Sequence, residues 1–178
     1  EALANHKGSS FGHLGQDTQP TTEQFENNLY QQWAELEPFR PLWLEHESMG
    51  IGSIYLPDTF RAAMLNGVLF FIDVPKADRI QRLVDEYACF EKSELQLVLE
   101  HLSTFMGSYQ SREALISQQN DDFGKVADLT LGYYDKLYEN SLARRPVRKI
   151  VKVQLISGSV EEHAKLIFEQ AMAESIKS

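Results

Sequence analysis

The residues best suited to chemistry stand first in the loop Asn5-His6-Lys7-Gly8-Ser9-Ser10-Phe11-Gly12. Lys7 supplies a cation, and Gly8 admits close backbone approach. Ser9 and Ser10 supply hydroxyls and amide donors, and Asn5 and His6 add more. A loop of this kind can cradle a phosphate or diphosphate. On chemistry alone a polar surface turn is the stronger reading. No Gly-x-x-x-x-Gly-Lys-Ser/Thr Walker A loop occurs in the chain.

Two further groups follow. Glu45-His46-Glu47-Ser48 comes directly after the apolar run Leu42-Trp43-Leu44. Glu45 or Glu47 could hold a metal or act as a base, as an acid at the end of a parallel strand does. A solvated turn is an equal alternative. The third group is basic: Arg144, Arg145 and Arg148, with Lys149 and Lys152 after them. Arginines so placed can neutralise phosphate or contact an RNA backbone. They also fit a solvated charge run.

Other combinations carry less. His6, His13 and His46 match no zinc spacing. Cys89, the single cysteine, reads as a packed small residue. It permits no internal disulfide and fits a reducing, cytoplasmic setting. Tyr133-Tyr134-Asp135 and Tyr138 lie in a helical pattern, where aromatics more often pack than stack on a base.

The elements that must position these residues read as alternating strands and helices. Thr21 and Gln24 have capping-box spacing, and Phe25, Leu29, Trp33 and Leu36 recur at helical intervals. Residues 42–46 form a short strand candidate closing on Glu45. Met49-Gly50-Ile51-Gly52 reads as a loop, and a short helix starts near Pro57. Val68 to Val74 is almost continuously apolar and predicts a central parallel strand. Pro75 opens a helix striped by Ile80, Leu83, Val84 and Tyr87. The next carries Leu95, Val98, Leu99, Leu102 and Phe105 and ends at Gly107. Helical pattern continues from 110 to 142. Lys149 to Ile156 is the last strand. Ser159 and Glu162 form a second capping box before a final helix with Ala164, Ile167, Phe168 and Ala171.

These elements predict an α/β fold with a mainly parallel sheet, spanning 1–178 as one domain, with a helical subdomain at about 91–142 inserted before the last strand. Three strands are few for a doubly wound sheet. The abrupt start at Glu1-Ala2-Leu3 adds the expectation that the sheet is incomplete at its N-terminal side. The formal net charge of -9 opposes nucleic-acid binding on average, so a tRNA contact needs the local basic group or another domain. No apolar run approaches the roughly 20 residues needed to span a bilayer.

The residues resemble a known family. Ala2 to Gly12, then Gln19-Pro20-Thr21 and Gln24-Phe25-Glu26-Asn27, look like the tRNA 2-selenouridine synthases. So do Glu45-His46-Glu47-Ser48 with Ile51-Gly52 and Leu56-Pro57. Asp73-Val74-Pro75 with Arg79, Arg82 and Leu83 is similar, as is Tyr133-Tyr134-Asp135 with Tyr138. The resemblance covers most of the chain. It implies a P-loop domain from just past its second strand, without the Walker A loop. It also implies an N-terminal rhodanese-like domain with a reactive cysteine elsewhere in the protein.

The activity it implies is on tRNA. A geranyl group from geranyl diphosphate is attached to 2-thiouridine at the wobble position, and selenium from selenophosphate then replaces the geranylated sulfur. The anion sites would draw on Asn5, His6, Lys7, Gly8, Ser9, Ser10, Arg144 and Arg145, with magnesium near Glu45 or Glu47. No catalytic residue is assigned. Lys7 stands where the family usually has arginine, and His46 and Met49 depart from its acidic turn. The alternatives are a kinase-like P-loop phosphotransferase using ATP, or a non-catalytic binding domain.

Overall fold

The computed structural model describes residues 1–38, 40–46, 49–143, 149–156 and 158–175. Glu47, Arg144 and Arg145, with Arg148, lie outside the described residues.

A 3-10 turn, Ala2–Ala4, leads through the first loop to α1, Thr22–Ala34. The Thr21 hydroxyl accepts a hydrogen bond from the Gln24 amide at 3.2 Å, which satisfies one of the free donors of the first turn. Gln24 does not reach back; its side chain donates to Asn28 at 2.8 Å, so half of the capping box forms. Phe25 is buried with Ala4, Ile51, Ile54 and Leu56, and Leu29 packs against them. The expected apolar stripe stops there. Trp33 and Leu36 are exposed, and Trp33 meets the edge of Phe60, with ring centres 5.8 Å apart.

Where a plain loop was expected, β1 (Gly50–Ile51) and β2 (Ile54–Tyr55) pair as a small antiparallel hairpin. It buries Ile51 and Ile54 beneath α1. Helix α2, Asp58–Leu65, follows with Pro57 at its cap. The parallel pair is β3 (Leu69–Asp73) with β4 (Ile150–Gln154), in a register running from Leu69 opposite Ile150 to Asp73 opposite Gln154. Near-continuous apolar, β-prone sequence makes both strands.

Residues 42–46 are not a strand, contrary to their apolar run. Pro41 lacks a donor at the entrance, and the segment belongs to neither sheet. Leu42, Trp43 and Leu44 remain exposed, with Trp43 resting on Phe70 at 5.2 Å between ring centres.

Parallel strands need a long crossover. Here it consists of α3 (Lys76–Tyr87), α4 (Lys92–Ser103), α5 (Ser108–Gln119) and α6 (Phe123–Ala143). Helix α4 ends four residues before Gly107, which caps α5 instead of closing α4, and Phe105 is exposed. Leu95, Val98 and Leu102 of α4 bury against Leu14 and Met106, while Leu99 packs with Ala114 and Val126. Arg79 of α3 holds Asp135 of α6 through two hydrogen bonds, at 2.6 and 3.1 Å. Lys76 adds an ion pair to Asp128 between the same helices.

After β4, Ser159 and Glu162 form the full reciprocal capping box, at 2.8 and 3.2 Å, and start α7, Val160–Ser175. Its apolar face is shallow: Ile167 is half-buried, but Ala164 and Phe168 are exposed. The described architecture is therefore α/β, with a small parallel sheet and many helices. No helix among the described residues is long and apolar enough to cross a membrane.

Candidate functional site

The first loop folds onto the helices, and its own contacts fix its shape. Asn5 adopts the left-handed conformation (φ 48°), and its side chain donates to the Thr18 carbonyl at 3.0 Å. His6 is buried, and its Nδ1 accepts from the Gly8 amide at 3.1 Å, which puts its remaining ring proton on Nε2 when neutral. The imidazole lies between two glycines. A methyl group on Gly12 would sit 2.8 Å from His6 Cε1, and one on Gly52 would sit 2.8 Å from His6 Cδ2. Gln19 joins the loop to the hairpin. Its amide donates to the Ala4 and Ile51 carbonyls at 2.9 and 3.0 Å, and its oxygen accepts from Ser53 N–H at 2.8 Å.

The next residues face α3 and α6. Lys7 Nζ pairs with Glu86 near the end of α3, and the same ammonium lies 5.5 Å from the centre of the Tyr87 ring. The Ser10 amide donates to the Tyr134 hydroxyl at 3.0 Å, and that hydroxyl donates to Ser10 Oγ at 3.0 Å. Ser9 hydrogen-bonds the Tyr87 hydroxyl. Burial pushes this phenol up to about 12, the Glu86 carboxylate adds to the rise, and the Ser9 bond offsets part of it. Tyr87 is thus neutral at physiological pH. Tyr133 also rises, through burial and then through Tyr134.

Beneath this polar rim lies a cavity of about 220 Å³. Its walls are chiefly apolar: Leu83 and Val84 from α3, Leu95 and Leu99 from α4, Phe123 and Val126 from α6. Ser9, Tyr87, Tyr134 and the exposed Tyr138 stand at its edge. Gln118 and Thr130 are the buried polar groups of its lining. Gln118 donates to the Lys92 carbonyl at 2.8 Å, and Thr130 donates to the Val126 carbonyl at 2.9 Å.

The expected loop donors therefore meet in one place, but in an altered role. The amides of Lys7, Gly8, Ser9 and Ser10 all find acceptors within the protein. They do not form an open backbone nest. Side chains at the rim, Lys7 above all, are what a bound anion would meet. Glu45 is exposed, and its Oε2 lies 3.3 Å from the Glu1 nitrogen. Among the described residues no three His, Cys, Asp or Glu side chains converge as a metal site. His6 and His13 stack at 6.5 Å between ring centres.

Sequence reading missed Glu86 and Tyr87 as partners of the loop, and the hydroxyl role of Tyr134. The Lys7–Glu86 separation is 79 residues and that of Ser10–Tyr134 is 124. No local spacing carries such pairs. The only available signal was an acidic and an aromatic residue at the end of an amphipathic helix.

Comparison with known proteins adds a second line of evidence. A family model described as the tRNA 2-selenouridine synthase AAA domain matches residues 1–117. The tRNA 2-selenouridine synthase of Nitrosomonas europaea is 31% identical, over 71% of this chain and 34% of the relative. That of Shewanella frigidimarina is 43% identical, over 49% of this chain and 24% of the relative. That of Shewanella woodyi is 29% identical, over 85% of this chain and 50% of the relative. The chain thus spans at most about half the length of these curated relatives. No solved structure matches.

Proposed function

This chain belongs to the tRNA 2-selenouridine synthase family, and from that membership we propose that it is part of a transferase modifying the wobble uridine of tRNA. The reaction attaches a geranyl group from geranyl diphosphate to 2-thiouridine and then replaces sulfur with selenium from selenophosphate. The protein works in the cytoplasm. A rhodanese-like domain and further strands of a P-loop-type sheet belong to the longer protein. The relatives' shared name favours this reading over a kinase-like phosphotransferase.

The part assigned to this chain is to bind the anionic donor. The observation that carries it is the Lys7 ammonium over the ring of Tyr87, which lines the apolar cavity together with Ser9 and with Tyr134, the partner of Ser10. In geranyl transfer the thiocarbonyl sulfur attacks the first carbon of the chain. The carbon–oxygen bond breaks, and diphosphate leaves with the electron pair. A cation and hydroxyl donors at that oxygen lower the barrier by stabilising the developing charge. Lys7 does this by exchanging Glu86 for the leaving group, with Ser9 and Ser10 beside it and Arg144 or Arg145 as further cations. Asn5, His6 and Gly8 hold the loop in shape.

Glu45 is exposed, and no step is assigned to magnesium. The test is titration of geranyl diphosphate into the full-length protein carrying Lys7→Ala. A loss of about tenfold in affinity is expected for one charge-assisted contact. Unchanged affinity removes Lys7 from the mechanism.

A further inference from the structure

We propose that the cavity between the first loop and helices α3, α4 and α6 binds the hydrocarbon chain of the donor, and that Ala127 and Thr130 set the chain length it accepts. This deepens the reading above and rests on the anionic group lying at the rim near Lys7.

The cavity disfavours polar ligands. Its two buried polar side chains are both satisfied inside the protein: Gln118 by the Lys92 carbonyl, and Thr130 by the carbonyls of Val126 and Ala127, at 2.9 and 3.2 Å. No buried side-chain nitrogen or oxygen among the described residues lacks a partner. A nucleobase or a sugar placed here would lose its hydrogen bonds to water and gain few in return. A hydrocarbon loses nothing of that kind.

Size and polarity fit the same ligand. An apolar cavity of roughly 150 Å³ stays dry and accepts benzene. One of about 220 Å³ takes a longer branched chain. Its lining differs in exposure. Ser9 and Tyr134 mark the outer edge, and Leu99, Gln118, Ala127 and Thr130 are buried within. The Lys7 ammonium lies over the ring of Tyr87, which belongs to the same rim. A molecule with an apolar tail and an anionic head therefore enters tail first.

Ala127 presents only a methyl group to this space, and Thr130 stands one helical turn further along the same face of α6. Enlarging either side chain shortens the room available to the tail without touching the rim. Leu83, half-buried on α3, allows the same restriction from the opposite wall.

The experiment is calorimetric titration of the full-length protein with inorganic diphosphate and with dimethylallyl, geranyl and farnesyl diphosphate. Geraniol serves as the tail without the head. Geranyl diphosphate is expected to bind about tenfold or more tighter than inorganic diphosphate, since each buried methylene favours binding. Ala127→Leu and Thr130→Leu are expected to weaken geranyl diphosphate about tenfold. They should move the preference toward dimethylallyl diphosphate and leave inorganic diphosphate unchanged. Leu83→Trp gives the same shift if either α6 variant fails to fold.

Equal affinity for inorganic and geranyl diphosphate overturns the chain site while leaving the anion site standing. Geraniol binding that Ala127→Leu weakens, with no diphosphate binding, upholds the cavity and overturns the anion reading. Unchanged chain-length preference in all folded variants overturns the role of Ala127 and Thr130.

Discussion

Lys7 and Glu86, 79 positions apart in the chain, form an ion pair above the ring of Tyr87 at the edge of an apolar cavity. Both side chains keep about a third of their surface exposed, at 35% and 28%. Water screens such a pair, so it contributes under ~1 kcal/mol to stability. Its chemical meaning lies in what it withholds: the cation best placed to meet an anion is already occupied by a carboxylate.

The first prediction follows from that occupancy. Glu86→Gln leaves the shape of the rim and removes its negative charge. Diphosphate affinity should rise several-fold, and the rise should shrink at high salt as the charge is screened. Thermal stability should change little. An unchanged or weaker affinity in Glu86→Gln would show that Lys7 does not exchange partners.

Tyr87 gives a pH signature. Its hydroxyl is held near 12, mainly by burial and then by Glu86, whereas an unfolded tyrosine titrates near 10. Between about pH 10 and 12 the unfolded chain therefore binds fewer protons at this site than the folded one. Stability from this group is complete below pH 10 and falls as pH rises through 12. Tyr87→Phe should flatten the decline in denaturation midpoint across that window. A variant that declines as steeply as the parent shows that other groups carry the effect.

Arg79 and Asp135 offer a test of how α3 is held to α6. The guanidinium makes two bonds to the carboxylate and donates a third, from Nε, to the Val74 carbonyl at 3.2 Å. The bond to Asp135 is the main reason its proton is held more tightly than usual. Arg79→Ala should cost about 1–2 kcal/mol, read from urea midpoints at constant slope. Arg79→Lys should recover less than half, because an ammonium cannot reproduce the fork. Full recovery by lysine would reduce the contact to simple charge.

The sequence was most legible where the physics is local. Thr21 caps α1, and Ser159 with Glu162 caps α7, because each motif needs only residues three apart. The apolar run at Leu69–Asp73 made its strand by pairing with Ile150–Gln154. Residues 42–46 carried a similar run and made none, since a strand exists only with a neighbour and none is visible from the segment itself. Trp33 continued the periodicity of Phe25 and Leu29 but stays exposed, with its ring against the edge of Phe60. The loop Asn5–Gly12 stood out by its residue types alone. Its partners on α3 and α6 were hidden by distance along the chain, and they convert a supposed backbone cradle into a side-chain rim. The family resemblance located the loop more sharply than its own chemistry did, because composition alone favoured an ordinary turn.

The loop's shape depends on the slot that holds His6. A methyl group on Gly12 would lie 2.8 Å from His6 Cε1 and 2.9 Å from the Lys7 backbone nitrogen, both inside normal contact. Backbone cannot yield as a flexible side chain can. Gly12→Ala should therefore cost about 1–3 kcal/mol. Gly52→Ala meets the opposite edge of the ring and also forces a side chain to adopt φ 61°, a left-handed conformation that costs most residues roughly 1 kcal/mol. His6→Ala removes the ring from the slot. In that background Gly52→Ala should retain its backbone cost and its clash with the Gln19 side chain and lose only the contact with the ring, while Gly12→Ala should still meet the Lys7 nitrogen. Double-mutant cycles on urea midpoints separate these terms. A Gly12→Ala variant as stable as the parent, with unchanged diphosphate binding, would show that the His6 slot does not hold the rim in place.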